Sequence, residues 1–220
     1  MQAGVNRKFP LPARRPAARP LLPTLRGRLA LITLPALLAL SACAGMAPAG
    51  KPAAPARLGL KLAPATLGQS LSLQQHLIVE REGRTDELDT ALEIDADANQ
   101  LTLVGLAFGQ RVMTLQYDGK ELKTWRHFML PPQVRGEDVL EDLQLTLWPA
   151  AALRAALPPG WDIQDAAEGA GTAQRRTLSL EGRPITVIDY PGARRWGGKV
   201  VLNNLRYHYR LTIVSAADGA

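Results

Sequence analysis

Residues 136–160 read GEDVLEDLQLTLWPAAALRAALPPG, and this stretch decides the fold because the hydrophobic period changes there. Val139, Leu140, Leu143 and Leu147 recur three and four residues apart, and Glu137, Asp138 and Asp142 stand near the start, where negative charge suits a helix N-terminus. The spacing predicts an amphipathic helix over 136–148. Pro149 cannot continue that helix but suits the first turn of another, which runs through PAAALRAAL and stops at Pro158-Pro159-Gly160. A pair of short helices is therefore expected in mid-chain.

On both sides of the pair the period is two. Upstream, SLSLQQHLIVER puts Leu71, Leu73, Leu77 and Val79 on one side of a strand, with Gln75 interrupting. A turn at Arg81-Glu82-Gly83 leads to TDELDTALEID, and a second at 95–99 leads to QLTLVGLAF, apolar on both faces. After a break at Gly109 come RVMTLQY, the hairpin signal Asp118-Gly119, and ELKTWRHF. Downstream, WDIQDA, QRRTLSLEG, PITVIDY, KVVLNNL and YHYRLTIV alternate again, with turns at Gly169 to Gly171, Glu181-Gly182 and Gly192 to Gly198. The expected organisation is mainly β (α+β): strands, a central pair of helices, then strands, with no internal repeat.

Ahead of the strands, LALITLPALLALSAC from Leu29 to Cys43 is uncharged and mostly apolar, and follows a basic segment carrying Arg14, Arg15, Arg19, Arg26 and Arg28. It is short for a bilayer span and has the layout of a secretory signal peptide. Leu40-Ser41-Ala42-Cys43 looks like a bacterial lipobox, which makes Cys43, the sole cysteine, a lipidation site and the mature N-terminus. The expected organisation is a signal peptide over 1–42, a lipidated Ala/Pro-rich tether over 43–69, with a folded extra strand near Leu58 to Leu62 as the alternative there, a folded domain over 70–215 and a tail over 216–220. Processing also changes the electrostatics. Seven of the 26 Lys and Arg precede Cys43, leaving 19 against 20 Asp and Glu, so the formal charge of +6 becomes about −1. A global nucleic-acid footprint disappears with it.

The sequence supports no enzyme. His76, His127 and His208 are scattered without metal-ligand spacing, and no nucleotide loop, nucleophile elbow or thiol free of the lipid is present. No metal and no cofactor are expected. Glu137, Asp138, Glu141 and Asp142 read as solvated helix surface. Two stretches could meet a membrane: YPGARRWGGK, which gathers Arg194, Arg195 and Lys199 around Trp196 and reads otherwise as an ordinary solvated hairpin loop with one half-buried Trp, and the apolar tip at Phe108-Gly109.

The order of lipobox, tether, strands, helix pair and strands resembles the LolA/LolB class of envelope lipoprotein carriers and receptors. DLQLTLWPAAALRAALPPGW from Asp142 to Trp161 and LTLVGLAFGQRVMTLQYDG from Leu101 to Gly119 look like a proteobacterial lipoprotein family often encoded in aryl-polyene pigment clusters. The resemblance implies the fold class, an antiparallel, incomplete β-barrel with a central pair of helices, LolA/LolB-like, and places this half-barrel at the outer membrane, facing the periplasm, where it binds a lipid-like, acyl or aryl-polyene ligand or a lipoprotein. It also implies a periplasmic carrier protein as partner. By position Phe108-Gly109 matches the protruding Leu-Gly of LolB, although Ala107 replaces the preceding proline. Leu71, Leu73, Leu77, Leu101, Leu103, Val112, Leu140, Leu143 and Leu147 are the candidates to line the cavity. The alternative is an envelope protein that docks a partner and has no ligand cavity.

Overall fold

The computed structural model describes residues 57–167, 173–192 and 194–217, all within one unit, Ala53–Ala220. Cys43, the signal segment, the turn at Gly169 to Gly171 and residues 218–220 lie outside the described residues.

Each period-two run is a strand: β1 Leu71–Arg81, β2 Arg84–Asp95, β3 Gln100–Ala107, β4 Gln110–Tyr117 and β5 Leu122–Arg126, then β6 Trp161–Ala167, β7 Gln174–Leu180, β8 Arg183–Tyr190, β9 Gly198–Asn204 and β10 Tyr209–Ala217. Between the two sets lie α1, Gly136–Leu147, and α2, Ala150–Ala156. Short connections force antiparallel neighbours, so each set forms a meander. The sets join where β1 pairs with β10, Leu77 facing Ile213 and Arg81 facing Tyr209. The result is one ten-stranded sheet in the order β5-β4-β3-β2-β1-β10-β9-β8-β7-β6. β5 and β6 are its two edges and do not pair, so the barrel is open. The helices bridge the chain from one edge to the other, as the change of period predicts.

Alternation gives the sheet an apolar inner face. Leu73, Leu92, Leu103 and Leu115 of the first meander and Ile163, Leu178, Ile188 and Leu202 of the second join Leu140, Leu147, Trp148 and Leu153 of the helices in one core. α1 starts tight against β5: a Cβ on Gly136 would lie 2.1 Å from Thr124 Oγ1, so only glycine fits there. Its far end is satisfied from the second meander. Arg176, fully buried, donates from Nη1 to the carbonyls of Leu145 (2.6 Å) and Trp148 (2.8 Å). The Tyr190 hydroxyl donates to that of Thr146 at 2.8 Å. These side chains take the carbonyls a helix end leaves without partners. Arg176 also holds Asp165 with bonds of 2.7 and 2.9 Å. Burial pushes the Asp165 carboxyl up, but Arg176 and then Arg195 outweigh it and hold the group below the ordinary carboxylate range.

The tether expected over 43–69 is corrected at its C-terminal end. Leu58, Leu60, Leu62 and Leu67 are only 7, 4, 7 and 5% exposed and belong to the core. Residues 57–63 run without regular secondary structure and end in a 3-10 turn, Pro64–Leu67. The Ala/Pro/Gly composition concealed a period-two leucine pattern that has no sheet partner. What holds this strap is α1, 82 residues away in sequence.

Candidate functional site

Two features of the fold are built for more than packing: the seam between strap and α1, and an exposed apolar corner. At the seam, the Gln144 amide, fully buried, acts as a peptide group would. Its Nε2 donates to the Leu62 carbonyl at 2.8 Å and its Oε1 accepts from the Leu62 N–H at 3.1 Å. One carboxylate oxygen of Glu141 accepts from the Gly59 N–H at 2.9 Å, and the other takes Arg206 Nη2 at 2.6 Å. The Tyr117 hydroxyl donates to the Lys61 carbonyl and Trp148 Nε1 to Thr66 Oγ1, each at 2.8 Å. Arg57 approaches Asp138 at 3.7 Å. The strap is thus read by side chains along its whole length.

The carboxylates of α1 are not all solvated surface, contrary to the sequence reading. Glu141 is buried between strap and β9–β10 turn, and Asp142 accepts from the Tyr209 hydroxyl, which in turn receives Asn204 Nδ2 at 3.1 Å. Burial raises the Asp142 carboxyl to about 7; Glu141 and Asp138 add to the rise, while the Tyr209 hydrogen bond and Arg206 oppose it. Burial also drives the Tyr209 hydroxyl far up, with Asp142 adding to it. Arg206 and Tyr209 are the groups that overturn the reading, and nothing in 136–148 announces them.

The nine leucine and valine candidates separate by depth. Leu73, Leu101, Leu103, Leu140 and Leu147 are buried in the core, whereas Leu71, Leu77 and Leu143 are half-buried against it. Val112 is buried through a bulge: Gly105 pairs with Met113 and Leu106 with Arg111, leaving Val112 as the extra residue. Toward the β1–β2 turn the cover thins, and Leu77, Val79, Leu88 and Leu211 are half-buried. Gln75, which interrupts the leucine pattern, is buried on this same face, donating to Ser215 Oγ at 3.0 Å and accepting from Thr90 Oγ1 at 3.4 Å. Three adjacent strands are thereby tied by side chains.

The corner lies at the β3–β4 turn and the loop after β5. Phe108 is 96% exposed and Phe128 is 89% exposed, with Leu106, Trp125 and Met129 also exposed. The His127 N–H donates to the Val112 carbonyl at 2.8 Å, which brings the second loop beside the first hairpin. Arg126 Nη2 fixes that loop through the carbonyls of Leu130 (3.2 Å) and Pro131 (2.7 Å), and Arg111 lies 4.9 Å from the Trp125 ring centroid. The turn itself is strained. Phe108 has φ 51° and Gly109 φ 72°, the two-residue arrangement that favours Asn-Gly. The other non-glycine residues with positive φ among the described residues are Glu82, Asn99, Glu181 and His208, all polar. Phe108-Gly109 was singled out in the sequence; Phe128 and Met129 were not.

The second membrane candidate is built differently. Arg195 donates to Asp165 at 3.1 Å, and Trp196 is half-buried against the core; Arg194 is exposed. The indole serves packing. This loop joins β8 to β9 beside the Ser215 end of β10, whereas Phe108 lies at the opposite end of the strands. Among the described residues no group of three or more His, Cys, Asp or Glu is placed to hold a metal ion.

The family described as "Protein of unknown function (DUF3261)" matches residues 72–217. No curated protein matches the chain. Among solved structures, the chain is similar to one from the complex of Pseudomonas aeruginosa MucA/MucB, at 16% identity over 71% of this chain and 55% of that one, with a TM-score of 0.40. It therefore spans about half the length of that protein. It is similar also to the LolA superfamily protein NE2245 from Nitrosomonas europaea, at 10% identity over 73% of this chain and 92% of that one, TM-score 0.35. A DUF1329 family protein from Desulfovibrio piger is similar at 10% identity over 71% of this chain and 90% of that one, TM-score 0.25.

Proposed function

The chain belongs to the DUF3261 family, and we propose that it is a lipid-anchored protein of the outer membrane, facing the periplasm, that holds one lipid-like, acyl or aryl-polyene ligand and exchanges it at a bilayer. No covalent bond is made or broken in this reading, and a periplasmic carrier protein is the natural source of the ligand.

The observation that carries the proposal is the exposed corner. Phe108 keeps a backbone conformation that costs an L-residue about 1 kcal/mol, and its ring gains no burial in return. Strain of this kind, maintained beside a second exposed phenylalanine, fits a surface whose apolar partner is elsewhere. Aromatic rings with Arg111 nearby suit an anionic bilayer interface, with the rings at headgroup depth and the guanidinium among phosphates. The anchor is compatible in length. Cys43 precedes Arg57 by 14 residues, a reach of about 43 Å if extended at 3.1 Å per residue. Arg57 meets α1 in its first turn, immediately after the loop that carries Phe128.

Flotation with phosphatidylethanolamine/phosphatidylglycerol vesicles tests this on the mature chain, residues 43–220 with Cys43→Ser, so that neither the signal segment nor an attached lipid contributes and the corner alone is measured. Phe108→Asp with Phe128→Asp should lower the bound fraction about tenfold without lowering the melting temperature, because neither ring is buried and aspartate suits the positive φ at 108. Equal flotation of the variant would remove the corner from the account. A second reading, a partner-docking protein without a ligand cavity, is favoured by the close packing of Leu101, Leu140 and Leu147. It requires that the purified protein carry and accept no lipid.

A further inference from the structure

We infer that the ligand site is the groove now filled by the chain's own strap, and that residues 58–67 are its displaceable occupant; this rests on the lipid-ligand reading above. The strap differs from every strand around it. It has no ladder bonds to the sheet, so its departure breaks no strand pairing. It is held instead by five side chains, Gln144, Glu141, Tyr117, Trp148 and Asn99, reaching across from α1, its C-cap, β4 and the β2–β3 turn. Its apolar content is four buried leucines joined to the core. Those side chains amount to roughly sixteen carbons, the apolar content of one long acyl chain, so a fatty chain entering the vacated groove would bury as much as the strap gives up.

The polar fittings specify the head of that ligand. When the strap leaves, Glu141 keeps Arg206, but Gln144 Nε2, the Tyr117 hydroxyl and Trp148 Nε1 lose their acceptors. Buried donors must be satisfied again, and a carboxylate or ester oxygen does so. The site therefore takes a single acyl chain bearing an oxygen-rich head. Because the strap begins 15 residues after Cys43, the same segment links the membrane anchor to the groove. Loading and strap position are then one equilibrium, and ligand affinity is reduced by the fraction of molecules in which the strap is seated.

The test uses the mature chain, residues 43–220 with Cys43→Ser, and cis-parinaric acid as the probe. Binding is followed by probe fluorescence, and the amides of Gly59 and Leu62 by hydrogen exchange. The expected result is saturable binding, loss of protection at both amides on saturation, and at least about a hundredfold tighter binding by Leu60→Asp, which expels the strap. Binding with undiminished protection would overturn the displacement and leave the lipid reading standing. No saturable binding by either protein would overturn both. Should Leu60→Asp lose the circular dichroism of the folded sheet, the exchange result on the unsubstituted strap decides alone.

Discussion

Replacing Gln144 by alanine removes the one side chain that satisfies both backbone groups of Leu62. Water does not reach this seam: Gln144 is fully buried and Leu62 is 7% exposed. The Leu62 N–H and carbonyl would each forfeit about 1–3 kcal/mol if left buried and unpaired. The lower end of that range, about 2–3 kcal/mol for the two, is the expected loss, because a strap without ladder bonds can move to hydrate them. That choice makes the effect local. Protection of the Leu62 amide should fall by a factor on the order of 100, with a matching fall at Gly59, while the amides of β1 and β10 keep theirs. Hydrogen exchange resolved by mass spectrometry reads this directly. Unchanged protection at Leu62 would refute the view that the Gln144 amide holds the strap. Uniform loss over the whole sheet would show instead that strap and sheet open together.

Three further predictions follow from the same geometry. Phe108→Asn places a residue suited to positive φ in the turn, so chemical denaturation should show a gain of about 1 kcal/mol while vesicle flotation declines; a loss of stability would refute the assigned strain. Asp142 titrates near 7 in the folded protein against an ordinary value of 3.8, so the unfolded chain releases its proton first as pH rises. This group's contribution to stability is therefore full below about pH 4 and lost by about pH 7, a change of about 4 kcal/mol. Asp142→Asn, which can still accept from Tyr209, should flatten that slope, and identical pH profiles of urea midpoints would contradict it. Gly136→Ala drives a methyl into Thr124 and should cost about 1–3 kcal/mol, recovered in part by adding Thr124→Gly; additive losses in thermal melts would show that the contact is not the cause.

The strands and both helices were legible because each carries its own period. Leu71, Leu73 and Leu77 declare a strand without reference to any other part of the chain, and Leu140, Leu143 and Leu147 declare a helix in the same way. The openness of the sheet is not written in any period; it came with the resemblance of the order of elements to the LolA/LolB class. What could not be read were features that exist only across long separations. The strap's Leu58, Leu60 and Leu62 alternate, yet an isolated extended segment has nothing to alternate against until Gln144 supplies a partner. Glu141 and Asp142 look like any acidic helix start, and only Arg206 and Tyr209 show that they are structural. Trp196 reads as an interfacial indole until its packing is seen. Phe108 was visible as a tip, whereas Phe128 and Met129 join it only because His127 bonds to Val112.

Possession of a lipid-like ligand is the central claim, and native mass spectrometry of the mature chain, residues 43–220 with Cys43→Ser, purified without detergent, meets it most directly. The account predicts, beside the polypeptide mass, a second species heavier by a single acyl or polyene lipid, which collisional activation releases. A spectrum containing only the bare polypeptide, unchanged after incubation with lipid vesicles, would contradict it.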